Sequence, residues 1–250
     1  MKNNITELVF IFDRSGSMAG LEDDAVGGFN STLERQKAQE GKVYVSTVLF
    51  DTFSEVIHDR VDINDIKPMV RSDYFAHGST ALLDAIGDAI RHIRNIHKYA
   101  RPEDVPEHTI FCIMTDGMEN ASRKYSRSII KEDIENQTQK FGWEFIFLGA
   151  NIDSFKAAEH IGITRDHVAN WDPTPNGMML CHDTFNFAIT NARKNCKDRI
   201  DLEKYMKEKR GKYLFRGLQE WRKRYNILSK SLSERHGGRG GAFSWKTTGI

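Results

Sequence analysis

Cysteine is scarce in this chain, with three among 250 residues, at Cys112, Cys181 and Cys196. They are too few and too scattered for a disulfide framework, and no Cys or His spacing suggests a zinc site. Cys112 lies in an apolar run, where a thiol packs as a small hydrophobe. A reducing cytoplasm is the expected setting. No stretch approaches the ~20 apolar residues that span a bilayer, so no membrane contact is expected. The first residues, MKNNITELVF, lack a basic patch followed by a long apolar run and a cleavage site, and a secretory leader is not expected. Familiar catalytic signatures are missing as well. There is no Gly-x-Ser-x-Gly elbow and no His-Glu-x-x-His zinc motif. GGAFSWKT, from Gly240 to Thr247, approaches a phosphate-binding loop, but Trp245 stands where the second glycine belongs.

Net charge is also small, at +1, but it is unevenly laid out. Residues 1–195 hold 21 Lys and Arg against 29 Asp and Glu, or −8. The last 55 residues hold 15 against 6, or +9. That asymmetry suggests two units, a domain over 1–195 and a basic extension over 196–250. In the extension, Leu214, Leu218, Trp221, Tyr225 and Leu228 step by 4, 3, 4 and 3, as on one face of an amphipathic helix. Such a helix packs on its own domain, docks a partner helix or contacts nucleic acid.

The densest chemistry lies near the start. Leu8 to Phe12 is a short apolar run that reads as a buried strand, and it breaks into Asp13-Arg14-Ser15-Gly16-Ser17. Asp13, Ser15 and Ser17 set a carboxylate and two hydroxyls at alternating positions past a strand's carboxyl end, where open α/β sheets bind ligands. These are hard oxygen donors, suited to Mg²⁺ or Mn²⁺ rather than zinc. Read blandly, the same residues are a Ser-rich turn capping a helix. Two later stretches share the chemistry. Gly78-Ser79-Thr80-Ala81-Leu82 opens a helix with a hydroxyl in its first turn, and Ile110 to Gly117 is an apolar strand ending in Thr115-Asp116-Gly117.

Asp-x-Ser-x-Ser, then Gly-x-Thr-x-Leu, then a strand ending in Thr-Asp-Gly resembles the von Willebrand factor type A family. The resemblance covers residues 5 to about 195. It implies that Asp13, Ser15, Ser17, Thr80 and Asp116 form a metal-ion-dependent adhesion site. The hydroxyls would bind the cation directly, and the two carboxylates directly or through water. Mg²⁺ is the expected ion, with Mn²⁺ or Ca²⁺ as alternatives. Few charged ligands leave the cation under-neutralised, and an exchangeable water then invites a partner's Glu or Asp. Around this set, Asp84 is a candidate outer ligand, His77 a rim residue and Arg14 a contact for an acidic partner. Glu119 and Asn120 are candidates to hydrogen-bond the loop after Asp116.

Alternating strands and helices predict a doubly wound, mostly parallel α/β sheet with helices on both faces. Strands are expected at 8–12, 43–50, 53–58, 109–115, 143–148 and 167–171. Helices are expected at 21–39, 80–99, 128–141, 153–161 and 178–193. Phe53 to His58 follows the previous strand after two residues and reads as an antiparallel edge hairpin. A short helical turn is expected over Ile63 to Met69, and Asp172 to Gly177 reads as a turn. The resemblance implies a Rossmann-like six-strand sheet, with a C-terminal helical extension beyond it.

The functional expectation is a metal-dependent protein-interaction module that binds an acidic side chain. Bacterial proteins of the family often partner an AAA+ ATPase or another machine component. One alternative is a nucleic-acid-associated protein using the basic extension. The other is a metal-dependent phosphoester hydrolase, although no nucleophile or general base is evident beside Asp13 and Asp116.

Overall fold

The computed structural model describes residues 4–194 and 200–211. Six strands form one sheet in the order β3-β2-β1-β4-β5-β6. They are β1 (Ile5–Asp13), β2 (Lys42–Phe50), β3 (Ser54–Asp62), β4 (His108–Thr115), β5 (Glu144–Gly149) and β6 (Val168–Asn170). Every neighbouring pair is parallel except β2 with β3, the expected antiparallel edge. Four α-helices connect them, α1 (Glu22–Lys37), α2 (Leu82–Tyr99), α3 (Arg127–Phe141) and α4 (Ser154–His160), and α5 (Pro175–Arg193) follows β6.

The strand period of two sorts β1 onto both layers. Val9 and Ile11 join Ile86, Ile90, Ile130 and Ile134 in a core beneath α2 and α3. Phe10 and Phe12 turn the other way, 5.3 and 5.9 Å from the Phe29 ring of α1, and Phe12 stacks 6.0 Å from Phe185 of α5. β1 is thus apolar on both faces and buried throughout its centre, as its unbroken LVFIF run requires.

The chain leaves β1 toward β2 on one side, and β4 continues the sheet on the other. That reversal of winding opens a crevice at the carboxyl ends of β1 and β4, the place where such sheets bind ligands.

Three elements differ from the sequence reading. β3 runs on to Asp62, because an edge strand tolerates the polar residues that made it look short. Ile63 to Met69 contains a turn but no helix. α5 begins inside the expected turn, since Pro175 occupies the first helical position, where its missing N–H costs nothing, and Thr174 caps Gly177 N–H at 3.1 Å. The two adjacent glycines of α1, Gly27 and Gly28, differ in their surroundings. A Cβ on Gly28 would stand 2.1 Å from Cδ2 of His182 in α5, whereas one on Gly27 would meet nothing.

After α5, a further helix begins at Leu202 and belongs to the same compact unit as far as Arg210. Leu202 and Met206 are fully buried, and Tyr205 stacks on Phe187 with ring centres 4.0 Å apart. Glu203 accepts from Asn170 N–H at 3.0 Å and Arg210 donates to Asn170 C=O at 3.2 Å. These side chains occupy backbone groups of the short edge strand β6. The stripe from Leu214 to Leu228 and the GGAFSWKT segment lie outside the described residues.

Candidate metal centre

Asp13 ends β1 with its side chain fully buried. Its Oδ1 accepts from Ser15 N–H at 2.7 Å and its Oδ2 from the Thr115 hydroxyl at 2.6 Å. Its backbone carbonyl accepts from the Tyr74 hydroxyl. Both carboxylate oxygens are therefore engaged within the protein. Burial pushes the Asp13 carboxyl above the ordinary carboxylate range, while the bonds from Thr115 and Ser15 pull it back.

Beyond Asp13 the chain enters a short 3-10 turn, Gly16–Met18, which carries Ser15 and Ser17 to the same side. Their hydroxyl oxygens lie 3.1 Å apart. Ser17 donates to Asp116 Oδ1 at 2.5 Å. A Cβ placed on Gly117 would sit 3.3 Å from Thr80 Oγ1 and 3.4 Å from Ser17 Oγ, so those two hydroxyls converge on one point beside Asp116. The five oxygen-bearing residues singled out from the sequence thus come together at the crevice. Ser17 is exposed at its mouth, and Asp13, Ser15, Thr80 and Asp116 are buried behind it.

The loops are braced against one another by backbone. Gly16 N–H donates to Gly78 C=O at 3.2 Å, and His77 N–H to Arg14 C=O at 2.9 Å. Gly78 has φ +73°, and a Cβ there would stand 2.8 Å from Thr52 Oγ1, so glycine is required. Thr80 is held at both ends. Its N–H donates to Asn120 Oδ1 at 2.9 Å, and its C=O accepts from the N–H groups of Asn120 and Ala121 at 3.0 and 3.2 Å. Glu119 occupies the start of α2 by accepting from Leu83 N–H at 3.0 Å, and it also accepts the Ser122 hydroxyl at 2.8 Å. Both residues hydrogen-bond the loop, as their position after Asp116 suggested.

Asp84 serves a different purpose from the outer ligand suggested by its spacing from Thr80. Its carboxylate accepts from the N–H groups of Arg123, Lys124 and Tyr125 at 2.9 to 3.1 Å, which folds the loop before α3. Arg14 pairs with Asp51 at 2.9 Å and Glu55 at 2.7 Å, so its charge is taken up inside the protein. His77 stands on the rim, half-exposed, 3.6 Å from Asp51. Sequence reasoning missed Tyr74, and it saw Thr115 only as part of a motif. Tyr74 reaches Asp13 from 61 residues away, and no local pattern announces that contact.

One atom in the site is not accounted for by the protein. Asp116 Oδ2 is buried and accepts no hydrogen bond, although the residue is only 1% exposed. Burial pushes the Asp116 carboxyl up to about 6, the Ser17 bond opposes the rise, and the negative charge of Asp13 adds to it. A buried carboxylate oxygen without a donor is costly, and a cation removes that cost. The residues present therefore fit a hard divalent ion, which Ser15, Ser17, Thr80 and Asp116 would hold with Asp13 behind them. Among the described residues no group of three or more His, Cys, Asp or Glu is placed to hold a metal.

No family model matches the sequence, and no curated protein matches it. Solved structures match its fold. The von Willebrand factor type A protein from Catenulispora acidiphila aligns with a TM-score of 0.51 at 15% identity. The match covers 76% of this chain and 43% of that one. A variant of the PilB minor pilin from Streptococcus sanguinis aligns with a TM-score of 0.53 at 12% identity, over 77% of this chain and 63% of that one. The manganese-loaded TRAP protein from Plasmodium vivax matches more loosely, with a TM-score of 0.48 at 14% identity over 72% and 73%. The chain thus spans less than half of the Catenulispora protein and under two thirds of the pilin. The protein has a von Willebrand factor type A fold: a Rossmann-like, doubly wound sheet with one antiparallel edge. No helix among the described residues is long and apolar enough to cross a membrane.

Proposed function

We propose that this protein is a divalent-cation-dependent interaction module that binds a carboxylate of a partner protein. The observation that carries the reading is Asp116 Oδ2, buried without a donor beside the converging hydroxyls of Ser15, Ser17 and Thr80. The ion, most simply Mg²⁺ with Mn²⁺ or Ca²⁺ as alternatives, would supply a Lewis-acidic position with exchangeable water. The chain's own residues do the rest. Asp13 fixes the turn that presents Ser15, and Asn120 fixes Thr80. Each Asp13 oxygen already accepts one hydrogen bond, so Asp116 Oδ2 is the carboxylate oxygen of the set with no other partner. A doubly charged ion in such a set keeps excess positive charge, which favours an incoming Glu or Asp. The hydroxyls beside Asp13 and Asp116 are assigned to holding the turn and the ion, and recognition rather than catalysis is the reading put forward. The protein would act as one part of a larger assembly, of the kind in which such modules accompany an AAA+ ATPase.

The test is a pull-down from the source cell with Mg²⁺ and with EDTA, partners being identified by mass. Wild type should retain a partner only with Mg²⁺, and Ser15→Ala or Thr80→Ala should lose it while keeping the fold. Retention that ignores both EDTA and these substitutions would sink the reading.

A further inference from the structure

Three exposed apolar side chains lie on the loops that build the site. Phe53 is 78% exposed, Met118 73% and Phe75 62%. Large apolar groups left in water on rigid loops commonly mark interaction surfaces. Each of these loops is tied to the site by hydrogen bonds or by sequence. Phe53 N–H donates to Asp51 Oδ1 at 3.1 Å, and the same carboxylate holds Arg14. Asp51 C=O also accepts from Ala81 N–H at 2.8 Å, next to Thr80. The Phe75 ring lies 5.5 Å from that of His77, whose N–H donates to Arg14 C=O. Met118 follows Asp116 by two residues. The three side chains therefore sit on loops that are tied to the Asp13–Ser17 turn and to Thr80 and Asp116.

The charges on this rim narrow the partner further. The guanidinium of Arg14 is already paired with Asp51 and with Glu55, which is itself more than half exposed. Asp13 and Asp116 lie beneath. Apart from a bound cation, this face offers an incoming carboxylate repulsion as much as attraction. A run of acidic residues gains one metal contact and finds Arg14 already paired with Asp51 and Glu55. A lone carboxylate among apolar residues gains the metal contact and also buries Phe53, Phe75 and Met118.

We propose that the site selects a single Glu or Asp set within an apolar stretch of a partner protein, with Phe53, Phe75 and Met118 receiving the side chains on either side. The inference rests on the carboxylate-binding reading and specifies its partner.

The test uses the full chain with saturating Mg²⁺, titrated in NMR experiments with acetylated, amidated tripeptides. Leu-Glu-Leu should bind at least about fivefold more tightly than Ser-Glu-Ser, the advantage expected from partly burying two leucines. Glu-Glu-Glu should bind no better than Ser-Glu-Ser, and Leu-Gln-Leu should not bind. The combined Phe53→Ser, Phe75→Ser and Met118→Ser variant, altered only at exposed positions, should keep its melting temperature and lose the preference. Equal affinity for Leu-Glu-Leu and Ser-Glu-Ser would overturn the inference and leave the carboxylate reading standing. No binding of any carboxylate to the metal-loaded protein, or equal binding of Leu-Gln-Leu, would overturn both. Self-association that the triple variant abolishes would assign the rim to a second copy of this chain and would also overturn the inference.

Discussion

Two buried polar clusters, one between α1 and α5 and one at the mouth of the sheet, are built to opposite rules. The helix seam is an internal hydrogen-bond network. Asn186 donates to Thr32 at 3.1 Å, Gln36 to Asn186 at 3.1 Å and Gln39 to Thr190 at 2.9 Å. Arg193 closes the chain by donating to Gln36 Oε1 at 2.8 Å and to Glu40 C=O at 2.7 Å. The atom the seam leaves over is Nε2 of His182, on a ring that burial keeps neutral. The crevice instead leaves over a carboxylate oxygen. An orphaned neutral nitrogen costs about 1–3 kcal/mol, and an orphaned charge costs more. A network whose members satisfy one another holds two helices in register, whereas one that ends on an unsatisfied acid is completed from outside.

The largest effect expected on the seam side is loss of the helix that backs α5. Removing residues 200–250 strips Leu202, Met206 and the Tyr205–Phe187 stack from the fold. Each buried side chain is worth ~1.5–3 kcal/mol. The truncated protein should melt well below one ending at residue 211, and equal melting temperatures would show that α5 stands without this support.

Next comes Gly28→Ala. In a helix this change ordinarily stabilises by up to ~1 kcal/mol, but here the new methyl meets His182, and a net loss of ~1–3 kcal/mol is expected. Gly27→Ala is its control. With open space around it, that change should be neutral or stabilising by up to ~1 kcal/mol. Denaturant melts of the two variants would separate close packing from helix propensity.

The pH response of the seam has a definite sign. Burial lowers the His182 imidazole to about 3, against 6.5 for the ordinary group. Between those values the unfolded chain binds the proton and the folded protein does not. The stability held by neutral His182 is thus present above pH 6.5 and is lost as pH falls toward 3. The loss reaches about 2 kcal/mol at pH 5. His182→Gln should flatten the pH dependence of unfolding across that window, and an unchanged slope would remove His182 as its cause.

At the crevice, the smallest stability effect is expected from Asp116→Asn. It removes a buried charge, so the cation-free protein should melt no lower than wild type. A lower melting temperature would make Asp116 a structural residue like those of the seam.

The difference between the two clusters also decides what the sequence could tell. The apolar runs of β1 and β4, each ending in an acid, located the crevice, because strand ends and hard oxygen donors are local signals. Those signals, joined to the family resemblance, named the five proposed ligands, which a metal titration tests. The supports were not legible in this way. Tyr74 and Thr115 meet Asp13 across 61 and 102 residues, and Asp84 looked like a ligand by spacing while its carboxylate gathers three amides of a loop 39 to 41 residues on. The seam was equally silent, since nothing local pairs Thr32 and Gln36 with Asn186 until α5 is laid beside α1. Gly28 likewise carries no local mark of its close approach to the ring of His182.

Isothermal titration of the full chain with Mg²⁺, run beside Asp116→Asn, tests the central claim most directly. The account predicts one cation bound by wild type, a melting temperature that rises with metal concentration, and no binding by a variant that remains folded. Wild type that takes up neither Mg²⁺, Mn²⁺ nor Ca²⁺, or an Asp116→Asn protein that binds as wild type does, would contradict it.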